Sequence, residues 1–216
     1  MTVAAVILAA SPASALADAD GTPGVRRLAD VAWSGGATPV VVCSFDPDGA
    51  VAAALANTEA TLVDPVDPER GPIGQIVNGI EAAIRMVAET DAALVWPARL
   101  AWVDAETVTT LIAAHGDDRG SVTRPSWQGD PGWPALLPVG HLDALRALGA
   151  TRMPHELLED LEVAGVRFRI VETGDPGVTH DVSTSRADLP PYDGPPQPAD
   201  AHAHEWGAAE ADHPDD

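Results

Sequence analysis

Val3-Ala4-Ala5-Val6-Ile7-Leu8 is an unbroken apolar run of strand length. A strand with one wet face alternates apolar and polar residues. A run without alternation fits a central strand covered on both faces of a parallel sheet. The segments downstream supply what such a sheet needs. Pro23 to Trp33 predicts a helix, with Val25, Leu28, Ala29 and Ala32 on one face and Gly35-Gly36 as its stop. Pro39 to Phe45 reads as a second strand, Asp48 as the cap of a short helix reaching Ala56, and Thr61 to Val63 as a third strand.

The pattern then repeats. Gly71 to Thr90 predicts a loop and a long helix striped by Ile76, Ile80, Ala83, Ile84 and Val87; Ala92 to Trp96 is a fourth apolar strand. Asp104 is placed as the cap of a helix carrying Val108, Leu111 and Ile112. Strands are expected near Ser121 to Arg124 and Pro134 to Leu137, and helices over His141 to Leu148 and Pro154 to Ala164. Val166 to Val171 alternates apolar and charged residues, as an edge or antiparallel strand does. Strands alternating with helices predict an α/β domain, a doubly wound and mainly parallel sheet, over residues 1–189. Ligands of such sheets bind beyond the carboxyl ends of the strands, which points to Ala9–Pro12, Asp46–Asp48, Asp64–Gly71 and Pro97–Leu100.

Residues 190–216 differ. Pro190 to Pro198 is too rich in proline for helix or strand, and the remainder is acidic, with no basic residue. This composition predicts a disordered acidic tail. The whole chain has 216 residues and 45% hydrophobic residues, enough for one substantial core. Its 12 basic residues are all arginine and are set against 33 acidic ones, for a net charge of -21. That excludes a protein that grips nucleic-acid phosphates or an anionic membrane surface. Met1 to Ala19 has the outline of a secretory leader, with Ser14-Ala15-Leu16-Ala17 as a small-residue site, but no Lys or Arg precedes the apolar run. The run is too short to span a bilayer. The segment therefore reads as a first strand, and the expected location is the cytoplasm.

Few side chains stand out chemically. Cys43 is the one cysteine, so it reads as a buried strand thiol rather than part of a disulfide or thiolate cage. Ser11 has no base near it in sequence to make it a nucleophile. Trp127 and Trp133 could stack on a flat ring or fill a gap between loop and core. His202, His204 and His213 read as members of a solvated tail.

Several stretches, in order, resemble the MobA-like NTP transferases, which attach a nucleotide to the molybdenum cofactor. Ala4 to Ala10 is similar to that family's opening strand and the start of its nucleotide loop. Gly71-Pro72-Ile73-Gly74-Gln75 resembles the loop and helix under the sugar and base. Leu94 to Asp104 resembles the strand that ends in an acidic metal ligand. Pro125 to Pro134 resembles the acceptor-pocket segment, and Asp181-Val182-Ser183-Thr184 with Asp188-Leu189 the closing segment. The resemblance implies a nucleotidyltransferase fold. It places Leu8, Ala9, Ala10, Ser11, Asp64, Gly71 and Arg99 against a nucleotide, CTP or GTP, and Gln128 and Trp133 in a pocket for a molybdopterin-type acceptor. Asp181 would be the metal-ligand candidate, for Mg²⁺ if the protein is active.

The same alignment predicts lost chemistry. Nucleotidyl transfer adds a nucleophile to an α-phosphate already crowded with charge, so it needs a divalent cation and basic clamps. The family's phosphate loop is glycine-rich and carries an Arg and a Lys. Here it reads Ala10-Ser11-Pro12-Ala13-Ser14-Ala15-Leu16-Ala17-Asp18-Ala19-Asp20-Gly21, and the chain has no lysine at all. Pro12 removes an N–H donor, and Asp18 and Asp20 repel phosphate. Arg99 stands where the family has Asp, either as a phosphate clamp in place of metal or as the partner of a nearby Asp. Ser183 replaces the other carboxylate. The expected function is a degenerate transferase that binds a nucleotide or cofactor or supports a partner protein. The alternatives are an active enzyme with ligands rearranged onto Asp181, Asp64 or Asp46, and an interaction module that uses the acidic tail.

Overall fold

The computed structural model describes residues 1–194. The expectation of a disordered tail falls mostly on residues 195–216, which lie outside the described residues. β1 (Thr2–Leu8) leads through α1 (Pro12–Ala15) and α2 (Gly24–Ser34) to β2 (Val40–Cys43), then through α3 (Ala50–Ala54) to β3 (Ala60–Val63). α4 (Gly71–Met86), β4 (Thr90–Pro97) and α5 (Ala105–Asp117) follow. The second half contains β5 (Val122–Trp127), β6 (Asp130–Pro131), β7 (Ala135–Pro138), α6 (Leu142–Arg146), α7 (Pro154–Val163) and β8 (Phe168–Glu172). The sheet order is β3-β2-β1-β4-β7-β5-β6, with β8 on β5. β1 pairs in parallel with both β2 and β4, placing Ala5 beside Val40 on one side and Leu94 on the other. β7 is antiparallel to β4 and to β5.

The parity of β1 divides the core in two. Val3, Ala5 and Ile7 face a cluster built with Leu28 of α2, Leu111 of α5 and Trp96; Ala4 and Val6 face one built with Ile76 of α4, Leu145 of α6 and Leu157 of α7. Every residue from Val3 to Ile7 is buried. This is why the run has no polar member: one at any position would enter a core. Burying a side chain such as Ile7 contributes about 1.5–3 kcal/mol.

Four sequence expectations need correction. Asp48 does not cap α3. The N-cap is Gly49, at φ 73, and the Asp46 carboxylate accepts the N–H groups of Val51 and Ala52, both at 2.9 Å. Asp104 occupies the N-cap position of α5, but its side chain makes no capping bond. The Asp175 carboxylate instead accepts the Asp104 N–H at 2.9 Å and the Thr107 hydroxyl at 2.7 Å. The long helix ends at Met86, and Thr90 already belongs to β4. The last strand begins at Phe168 rather than Val166; among the described residues it is an edge strand as expected, and it runs parallel to its one partner, β5. Arg169 of the strand reaches Asp117 of α5 at 3.3 Å, and Arg167, just before the strand, reaches Asp118 at 3.2 Å. Alternation marked the strand as half-wet but could not give its direction.

α4 approaches the sheet closely through Gly79. A Cβ at this position would strike Val6 Cγ1, with Cys43 Sγ 3.0 Å away. Gly79→Ala is expected to destabilise the protein by about 1–3 kcal/mol through overpacking, read as a lower midpoint in urea unfolding. A second prediction concerns His115 in α5, which is fully buried with both ring nitrogens unpartnered among the described residues. Burial pushes its pKa below 6.5, with Arg119 adding and Asp91 and Asp118 opposing. The unfolded chain therefore takes up a proton near pH 6.5 that the folded chain refuses, so stability present above that pH declines as pH falls through it. His115→Leu should flatten the denaturation midpoint between pH 7 and 5.

Candidate functional site

The carboxyl ends of β1, β2, β3 and β4 lie along one crest of the sheet. Backbone bonds continue past the strands there: the Ala9 N–H donates to the Cys43 carbonyl at 3.0 Å, and the Ala98 N–H to the Leu8 carbonyl at 2.9 Å. Leu8, Ala9, Ala10 and Ser11 thus leave the sheet beside Phe45, which is exposed, and near the turn carrying Arg99. Asp64 follows β3 directly and is exposed; its carbonyl accepts the Asn78 amide at 3.1 Å. Gly71 opens α4 at φ 59, and a Cβ on it would strike the Ala150 carbonyl. Its lack of a side chain therefore serves packing against the segment before α7.

The loop after β1 is a closed capping structure. Ser11 is the N-cap of α1: its hydroxyl accepts the Ser14 N–H at 3.1 Å, while the Ser14 hydroxyl accepts the Ser11 N–H at 3.0 Å. Ala15 N–H donates to the Ser11 carbonyl and Leu16 N–H to that of Pro12. A phosphate loop binds its ligand through backbone N–H groups aimed outward. Here those of Ser11, Ser14, Ala15 and Leu16 have internal partners, and Pro12 has none to offer. Asp20 sits at φ 59, and the Asp18 carboxylate accepts the Gly21 N–H at 3.1 Å.

Arg99 has its guanidinium 3.6 Å from the Asp181 carboxylate and is 68% exposed. Of the two roles considered for it, the structure brings it to a nearby Asp. Asp181 also accepts the hydroxyl and the N–H of Ser183. The Ser183 hydroxyl chiefly, with its N–H, Arg99 and His180, holds the Asp181 carboxyl below the usual aspartate range against the effect of burial. The closing segment is anchored by Trp102, whose indole N–H reaches the Asp181 and Thr184 carbonyls, both at 3.0 Å. An octahedral Mg²⁺ site draws on carboxylates and phosphate oxygens. A single carboxylate facing a guanidinium does not fit that ion. Among the described residues no three His, Cys, Asp or Glu side chains converge as a ligand set.

The acceptor candidates separate. Gln128 and Gly129 form the turn from β5 to β6 at φ 52 and φ 87, and Gln128 is exposed. Trp133 is half-buried, packs against both core clusters, and carries the Arg124 guanidinium 5.9 Å from its ring centroid. Its ring therefore fills the junction of the two cores. Trp127 borders a cavity with Gln128. Three residues of consequence were not singled out from the sequence: Trp102, Glu172, which holds the Gln128–Gly129 turn, and Asp175, which braces α5. The Asp175-Pro176-Gly177 turn signature was the available sign of the last.

Residues 5–165 match the MobA-like NTP transferase domain. The chain belongs to that family. No curated protein sequence is significantly similar to it. Among solved structures, this MobA-like chain is similar to a nucleotidyl transferase from Methanothermobacter, at 19% identity and TM-score 0.64, covering 81% of this chain and 88% of that one. It is similar to Rv0371c from Mycobacterium tuberculosis, described as a complex with manganese, at 14% identity and TM-score 0.63, covering 80% and 89%. It is also similar to CMP:2-keto-3-deoxy-manno-octonic acid synthetase complexed with CTP, at 19% identity and TM-score 0.55, covering 80% and 90%. At these identities the likeness is one of fold, the α/β nucleotidyltransferase fold.

The capping box is open to a direct test. Ser14→Ala removes one of the two reciprocal bonds and should lower stability by about 0.5–1 kcal/mol. It should also speed amide exchange at Ser11 relative to the neighbouring β1 amides.

Proposed function

We propose that this protein is a nucleotide-binding member of the MobA-like family that does not carry out the family's nucleotidyl transfer to the molybdenum cofactor, and that it acts as a nucleotide- or cofactor-binding accessory protein. The observation that carries this reading is the reciprocal Ser11–Ser14 pair. It occupies the Ser11 and Ser14 N–H groups, two of the loop donors that a triphosphate would use. A ligand that displaced it would have to break internal bonds while facing Asp18 and Asp20. The remaining contacts available to a nucleotide are those to its base and sugar, from Leu8, Ala9 and Ala10, the Asp64 carboxylate and the α4 entry.

Reassigned metal ligands find little support. The Asp46 carboxylate is occupied by Val51 and Ala52. That of Asp181 is occupied by Ser183 and Arg99, leaving Asp64. The family's clamp lysine is also missing, since the chain has no lysine to supply it. With no carboxylate pair to hold a cation and no lysine to meet the leaving pyrophosphate, the barrier to transfer stays high.

Pyrophosphate release from CTP or GTP, with Mg²⁺ or Mn²⁺ and molybdopterin supplied, should stay at the background rate. Calorimetric titration should give CMP and CTP dissociation constants within about threefold, ~0.6 kcal/mol, because the outer phosphates gain no anchor. Turnover, or CTP bound a hundredfold more tightly than CMP, would sink the reading.

A further inference from the structure

A cavity of about 300 Å³ opens at the carboxyl ends of β5 and β8, across the sheet from β1 and β2. Trp127, Gln128, Glu172, Pro191, Tyr192 and Asp193 contribute to its walls, and no basic residue lines it. Two aromatic rings thus stand beside two carboxylates. The segment that brings Tyr192 and Asp193 there is fixed to the domain: the Asp193 N–H donates to the Gly174 carbonyl at 2.9 Å.

Glu172 is charged at this site. Burial alone would raise its pKa. The Ser126 hydroxyl at 2.9 Å and the N–H groups of Gly129 at 3.2 Å and Gln128 at 3.1 Å, with Gly174, hold it below the usual glutamate range instead. The Trp127 and His180 rings pack in a T-shaped pair with centroids 5.2 Å apart, and Trp127 also lines the cavity.

Each element of the lining selects the same kind of ligand. Carboxylates repel an anion, and an aromatic face carries negative potential that attracts a cation. A small hard metal ion asks for converging oxygens rather than ring faces. An organic cation satisfies rings and carboxylates together. We propose that this cavity binds an ammonium or guanidinium group, seated against Trp127 and Tyr192 and facing Glu172 and Asp193. The site does not depend on whether the crest at β1 holds a nucleotide. The chain has no lysine and its N-terminal ammonium stands 3.8 Å from Asp91, so the ammonium group for this cavity comes from outside the chain, as a free small cation or as a side chain of a basic partner. The net charge of -21 favours the approach of either.

The test is a titration of the full chain at fixed ionic strength, following the Trp127 indole resonance by NMR, assigned through Trp127→Phe. Choline is the probe, and 3,3-dimethyl-1-butanol is its uncharged isostere. Choline should shift the resonance saturably, and the isostere should bind at least ~fivefold more weakly. Asp193→Asn, at an exposed side chain with no structural bond, and Glu172→Gln should each weaken choline severalfold. A short oligolysine peptide separates the two sources: tighter binding than choline at the same resonance identifies a protein side chain, weaker binding a free small cation. An unshifted resonance, equal binding of the isostere, or unchanged affinity in the Asp193→Asn/Glu172→Gln double variant would overturn the proposal.

Discussion

Burial of β1 on both faces is the constraint from which the rest of the architecture follows. A strand whose odd and even residues enter different cores must have helices on each side and parallel neighbours along each edge. β2 and β4 take those edges, and α2 and α5 cover one face while α4, α6 and α7 cover the other. Parallel strands then deliver their carboxyl ends to one crest. The loop after β1, Phe45, Asp64 and Arg99 all follow strand ends on that crest for this reason.

At that crest the polar groups satisfy one another. A phosphate loop keeps backbone donors outward at a cost in local stability, since unpaired N–H groups favour other arrangements. In this chain Ser11 and Ser14 close the loop on itself, and Pro12 starts a short helix in it. Arg99 and Asp181 do the same for charge. The pair joins the loop after β4 to the closing segment, where Trp102 also holds two carbonyls. At the far end of the sheet the balance is reversed, with rings and charged carboxylates left facing a cavity.

The sequence disclosed the fold through hydrophobic continuity, because burial on two faces permits no polar residue from Val3 to Ile7. It disclosed the absence of the family's clamp lysine, because composition suffices to show that lysine is missing. It did not disclose which carboxylates serve structure. Asp46, Asp48, Asp104 and Asp175 are all plausible caps by type and place. Only tertiary packing decided that Asp46 holds α3 and that Asp175, far along the chain, holds α5. The Ser11–Ser14 box was within reach of sequence reasoning, since serines three residues apart around a proline favour reciprocal capping. Glu172 and Tyr192 were not. Their meaning arises from β8 lying against β5, a long-range pairing that alternation could not orient.

The proposed accessory role requires that the outer phosphates of a nucleotide gain no anchor at this crest. The ³¹P spectrum of Mg²⁺-bound CTP in the presence of excess protein tests it most directly. The β- and γ-phosphate resonances are expected at the positions they hold in protein-free Mg²⁺–CTP solution, whatever happens to the base protons. Displacement and broadening of both resonances on adding protein, reversed by competing pyrophosphate, would contradict it.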